Sequence, residues 1–93
     1  MTRPAAQPRA VNTIEMSWVV GSAQSCAVRV ADEYVSAVHC RVDRLSDGTY
    51  IVTDLGSTNG TWINLTQVTS PTRIRPGDTL RVGHSDIPWA RST

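Results

Sequence analysis

The chain has 93 residues, of which 40% are hydrophobic and 18% charged, and a net charge of +1. That length holds one domain with a small core, not two. The near-neutral charge offers no bulk field for nucleic acid or a membrane surface, and no apolar run approaches the roughly 18 residues of a spanning helix.

Residues 1–12, rich in Pro and Ala, read as a disordered N-terminal tail, and 13–93 as the folded domain. The opening lacks the apolar stretch of a signal peptide. Cys26 and Cys40 are therefore expected as buried free thiols in a cytoplasmic protein rather than as a disulfide. All nine basic residues are Arg, which we read as coding bias.

Thr13 to Val20 is strand-like, with bulk from Trp18, Val19 and Val20, and residues 21–25 form a turn. Cys26 to Val30 alternates strictly, with Cys26, Val28 and Val30 on one face. After a polar loop over 31–33, His39 to Leu45 reads as a strand with Cys40 and Val42 inward and Arg41 and Asp43 outward. Ser46-Asp47-Gly48 is a hairpin signal, and Tyr50 to Thr53 is the return strand. Gly56 to Gly60 is a second polar loop, followed by a short strand at Trp62-Ile63-Asn64. Thr72 to Arg75 alternates around Ile74, Pro76-Gly77-Asp78 turns, and Leu80 and Val82 form an inward pair. Ile87 and Trp89 suggest a last strand. No ten-residue segment keeps a helical period. The chain is predicted to be all-β, a sandwich or barrel of short antiparallel strands.

Two polar clusters stand out: Ser36-Ala37-Val38-His39, and Asp54-Leu55-Gly56-Ser57-Thr58-Asn59-Gly60-Thr61. Small neutral hydrogen-bonders on tight turns, with free backbone N–H groups, can surround an oxyanion without catalytic machinery. Taken alone, Ser36 also reads as a turn serine bonding its own backbone, and Asn59-Gly60 as a good turn pair.

With Arg75-Pro76-Gly77-Asp78-Thr79-Leu80-Arg81-Val82-Gly83 added, the pattern resembles the forkhead-associated (FHA) domain over roughly Val19 to Trp89. The signature of that family is a Gly-Arg pair, then Ser-x-x-His, then Ser-x-Asn-Gly. The resemblance implies an FHA-like β-sandwich with its ligand site in loops at one end. It also implies a phosphothreonine-peptide-binding module in Ser/Thr kinase signalling, whose partner is a phosphothreonine-containing protein or the kinase itself. Ser36 and Thr58 would then meet the phosphate and Asn59 the peptide backbone. His39 would brace the loops, with Gly21, Gly56 and Gly60 supplying backbone geometry. No cofactor, metal, nucleic acid or membrane partner is implied, and a monomer is expected over a homodimer.

The chain departs from the family pattern in places. The Gly-Arg pair falls on Gly21-Ser22, so the arginine that clamps the phosphate is absent and Ser22 offers only a neutral donor. Ala37 follows the site serine, and Asn64-Leu65 replaces the usual Asn-Gly. A charged hydrogen bond to an ion contributes about 1.5–3 kcal/mol, or roughly ten- to a hundredfold in affinity. Arg29, Arg41 and Arg44 are available by composition, but strand alternation aims none of them at the loops. The departures motivate an alternative: a degenerate FHA-like scaffold that binds its partner independently of phosphate.

Other chemistries find little support. His39 and Cys40 are neighbours on a strand and point to opposite faces, so they do not form a nucleophile pair. Cys26, His39, Cys40 and His84 lack the spacing of zinc ligands. Trp18, Trp62 and Trp89 are scattered, as packing residues are, rather than grouped as a stacking platform. No catalytic residue is assigned, and an enzyme is not expected.

Overall fold

A computed structural model of the chain describes residues 13–90. The tail expected over 1–12 lies outside the described residues, as do 91–93. The described chain forms strands β1 (Ile14–Gly21), β2 (Val28–Arg29), β3 (Cys40–Leu45), β4 (Tyr50–Asp54), β5 (Thr61–Ile63), β6 (Thr66–Gln67), β7 (Thr72–Ile74), β8 (Leu80–Val82) and β9 (Ser85–Ile87). They make two sheets, one ordered β2-β1-β3-β4-β7 and the other β6-β5-β8-β9. The all-β sandwich expected from the sequence is the fold observed.

Alternation explains the layers. In the first sheet Trp18 lies opposite Val42, Val42 opposite Val52, and Val20 opposite Cys40, so one row of apolar side chains crosses three strands. In the second sheet Ile63, Leu80 and Ile87 share a row, and Thr61 and Val82 share the next. Both rows are buried and face each other as the core. Tyr50 bridges two tryptophans edge-on, with ring centroids 6.2 Å from Trp18 and 5.1 Å from Trp89. Trp62 is half-buried on the second sheet.

Four details differ from the sequence reading. The alternating run from Cys26 to Val30 contributes only Val28 and Arg29 to a strand, and that strand pairs parallel to β1. Parallel neighbours need a long crossover, and the short loop between Gly21 and Val28 lets only two residues pair. Asp43 points to the outer face as expected but is only 4% exposed, because Arg41 Nε approaches its Oδ1 to 3.1 Å and the Ser17 hydroxyl donates to the same oxygen. Cys26 is half-buried, while Cys40 is fully buried, and both are free thiols. Finally, Asn64 takes a left-handed φ of 55° in a tight turn into β6, a strand that its two exposed polar residues do not announce.

The register brings four strand ends to one edge of the sandwich. Val20 near the end of β1, Cys40 at the start of β3 and Asp54 at the end of β4 lie side by side. The Thr61 hydroxyl at the start of β5 donates to Asp54 Oδ1 at 2.7 Å, which ties the second sheet to the same edge. The segments around residues 22, 36–39 and 56–60 meet there.

Candidate functional site

His39 is the hub of that edge. It sits just before β3, with no solvent exposure. The Ser36 N–H donates to its Nδ1 at 3.0 Å, so Nδ1 is the bare nitrogen and Nε2 carries the proton. Nε2 then donates to the Gly60 carbonyl at 2.8 Å. One neutral imidazole thus joins the 36–39 turn to the 56–60 loop.

The Ser36 hydroxyl is oriented from the other side. Its Oγ accepts the Thr58 N–H at 3.1 Å. An oxygen held as an acceptor still has its own hydrogen to give, so the hydroxyl of the half-buried Ser36 remains available as a donor. Thr58 and Asn59 are exposed beside it. Asn59 Nδ2 donates to the Tyr34 carbonyl at 2.9 Å, which turns the amide across the gap between the loops. Its Oδ1 has no partner among the described residues and is available to a main-chain N–H.

Ser22 joins the same corner through its backbone. Its N–H donates to the Ser36 carbonyl at 3.0 Å, and the Ala23 N–H donates to the Ala37 carbonyl at 3.2 Å. This short ladder explains Gly21. A Cβ there would lie 2.1 Å from the Ala37 carbonyl oxygen, so any side chain would push the 36–37 segment away. Gly60 has a different reason, a φ of 89° that favours glycine. Gly56 is also left-handed, at 81°.

Asp54 shapes the 56–60 loop, a role the sequence reading missed. Its Oδ2 accepts the Gly56 and Ser57 N–H groups at 3.0 Å each, and its Oδ1 accepts the Ser57 and Thr61 hydroxyls. Ser57 Oγ in turn accepts the Gly60 N–H at 3.0 Å. Burial pushes the carboxyl pKa up, but the Ser57 and Thr61 hydroxyls and the two backbone N–H groups outweigh it, and the net shift is downward. An Asp two residues before Gly and three before Ser is the local signal for such a turn. Asp32 was also missed. It accepts the Tyr34 and His84 N–H groups at 2.8 Å each and the Ser85 hydroxyl at 3.2 Å, pinning the Tyr34 segment to the turn after β8. The His84 N–H, and then the Tyr34 N–H, lower its pKa. No sequence signal joins residues so far apart.

The fold therefore gathers Ser22, Ser36, His39, Thr58, Asn59 and Gly60 around one rim. The surface hollows against Trp89 and against Trp62 include none of them. Among the described residues no cluster of His, Cys, Asp and Glu could hold a metal ion. Burial pushes the Cys40 thiol up to about 12, with the Thr61 hydroxyl only partly opposing it, so no thiolate nucleophile is available there. The rim is built of oriented neutral donors and acceptors, which suits an anionic group carried on an extended chain.

Fold and rim together define a loop-presenting β-sandwich of the FHA type. The family model for the FHA domain matches residues 18–83, and the chain belongs to that family. It is 34% identical over 73 residues to the FHA domain-containing protein FhaB of Mycobacterium tuberculosis, a match covering 78% of this chain and 46% of FhaB. The chain thus spans about half the length of that relative. Among solved structures it is similar to the FhaA FHA domain complexed with the intracellular domain of Rv3910, at 33% identity and a TM-score of 0.70, covering 87% of this chain and 81% of that one. It is also similar to the N-terminal FHA domain of Rad53p from S. cerevisiae, which is in complex with a phosphothreonine peptide. That match has 28% identity and a TM-score of 0.68, and covers 83% of this chain and 61% of the yeast one.

Proposed function

We propose that this FHA domain binds phosphothreonine peptides and recruits phosphorylated proteins in Ser/Thr kinase signalling. The carrying observation is the Ser36 hydroxyl, which accepts from Thr58 N–H and keeps its own proton for a phosphate oxygen. Thr58 and Ser22, whose backbone N–H groups bond Ser36, bring two further neutral hydroxyls to the same corner, and Asn59 holds the peptide main chain. His39, Gly21, Gly56 and Gly60 keep the loops in register. The yeast relative with a phosphothreonine peptide in place supports this assignment.

The partner in this reading is a phosphothreonine-containing protein or the Ser/Thr kinase that made it, and the domain acts in the cytoplasm as a monomeric, non-catalytic module. The alternative, a phosphate-independent scaffold, was motivated by Ser22 and Ala37, and the likeness to phosphothreonine-binding relatives favours phosphate recognition over it. Titration with a degenerate phosphothreonine peptide library beside its unphosphorylated twin tests the proposal. Phosphate-dependent binding that Ser36→Ala removes is expected; equal binding of the two libraries overturns it.

A further inference from the structure

We propose that Arg29 clamps the phosphate in this domain. The inference rests on the phosphothreonine reading above and names the cation that reading needs. A phosphate near dianionic charge facing only Ser22, Ser36 and Thr58 would have no compensating positive group. Among the described residues, three other arginines are paired with carboxylates. Arg41 lies 3.1 Å from Asp43, Arg44 is 3.2 Å from Glu15, and Arg81 is 3.0 Å from Asp86. Arg73 and Arg75 make no ion pair among the described residues, but they flank Ile74 on β7, opposite Ile51 and beyond Tyr50, toward the end of the sheet away from Asp54. Arg29 has no carboxylate partner among them either, and it lies against Ser22 at the rim.

Its position is set by the parallel pairing that the sequence did not reveal. Arg29 lies opposite Gly21 across the β1–β2 ladder, and the Val30 N–H donates to the Gly21 carbonyl at 2.8 Å. That register carries the side chain to the next peptide, where Nε donates to the Ser22 carbonyl at 3.2 Å. The Ser22 N–H donates to the Ser36 carbonyl at 3.0 Å. The guanidinium is therefore one residue away from the serine whose hydroxyl faces the proposed phosphate. Holding Nε on a backbone carbonyl fixes the plane of the group and leaves both Nη amino groups unbonded, the fork that pairs with phosphate oxygens. In the family pattern the clamp belongs to the residue at Ser22; here the neighbouring strand brings a guanidinium to the same peptide.

The test is calorimetric titration with the tightest phosphothreonine peptide of the degenerate library and its unphosphorylated twin. The proteins compared are the wild-type chain, Arg29→Gln, and Arg29→Gln combined with Ser22→Arg. Arg29→Gln is expected to weaken the phosphopeptide about ten- to a hundredfold and leave the unphosphorylated peptide unchanged. Adding Ser22→Arg should restore most of the loss, which a merely structural role for Arg29 would not allow. Phosphate-dependent binding by the wild type that Arg29→Gln leaves unchanged overturns the inference and leaves the phosphothreonine reading standing. Equal weakening of both peptides also overturns it. A wild type that ignores the phosphate overturns the reading and this inference together. If Arg29→Gln melts early, the Arg29 Nε–Hε resonance of the wild type decides. A shift with the phosphopeptide alone supports the clamp, and no shift overturns it.

Discussion

The Ser36 N–H points at Nδ1 of His39, 3.0 Å away, and that bond sets the tautomer of a fully buried ring. Because Nδ1 accepts, Nε2 must donate, and the Gly60 carbonyl at 2.8 Å receives it. The 36–39 turn and the 56–60 loop thus depend on one side chain for their spacing. The ring is thereby placed as a brace between them.

Removing that ring should strand two backbone groups, one half-buried at Ser36 and one buried at Gly60. His39→Ala leaves the Ser36 N–H and the Gly60 carbonyl without partners, a cost of about 2–4 kcal/mol. Urea denaturation should show that loss, and phosphopeptide affinity should fall with it. A midpoint within error of the wild type would remove the bracing role.

Gly21 should tolerate no side chain. The Cβ of Gly21→Ala would sit 2.1 Å from the Ala37 carbonyl oxygen and must displace the backbone that carries Ser36. We expect destabilisation of about 1–3 kcal/mol and faster amide exchange at Ser22 and Ala23, whose N–H groups bond that segment. Exchange as slow as in the wild type would contradict the close approach.

Asp54 makes the site loop sensitive to acid. Burial raises its pKa, but the hydroxyls and N–H groups around it lower it further, so the folded value lies below the ordinary 3.8. Its contribution to stability is complete above the unfolded value and is lost as pH falls through the depressed folded one. Asp54→Asn should cost about 1–2 kcal/mol at neutral pH, allowing for solvent screening. The same change should flatten the loss of stability in acid; an unchanged acid limb would deny Asp54 this role.

Asn64 offers a control far from the rim. Its φ is 55°, its Nδ2 donates to Asp78 Oδ1 at 3.1 Å, and its Oδ1 accepts the Thr79 N–H at 3.1 Å. Asn64→Ala should cost about 1–2 kcal/mol by thermal unfolding through lost bonds and a strained turn. Peptide affinity should stay within twofold or so of the wild type, since no described contact links Asn64 to the rim. A large loss of affinity would show that the turn and the rim are coupled.

Much of this was legible in the sequence because its physical causes are local. Period-two alternation placed Cys40, Val42, Leu80 and Val82 inward, where all are fully buried. Ser36, His39, Thr58 and Asn59 were legible through motif spacing, and the structure brings them onto one rim. Alternation states only which face a side chain takes, however, and not what covers it. Asp43 takes the outward face that alternation assigns, yet it is buried, because Arg41 and Ser17, the latter on another strand, cover it.

By itself, the sequence determined an all-β chain with two small polar loops and a glycine where the backbones meet, since alternation, turn residues and spacing act over a few residues. Tertiary structure alone decided the parallel pairing of β2 with β1, and with it the placement of Arg29 beside Ser22. It alone tied Asp32 to His84 and His39 to Gly60. These contacts depend on strand register and on how two sheets meet at an edge. Both are settled by burying the whole core at once, and no local pattern records them.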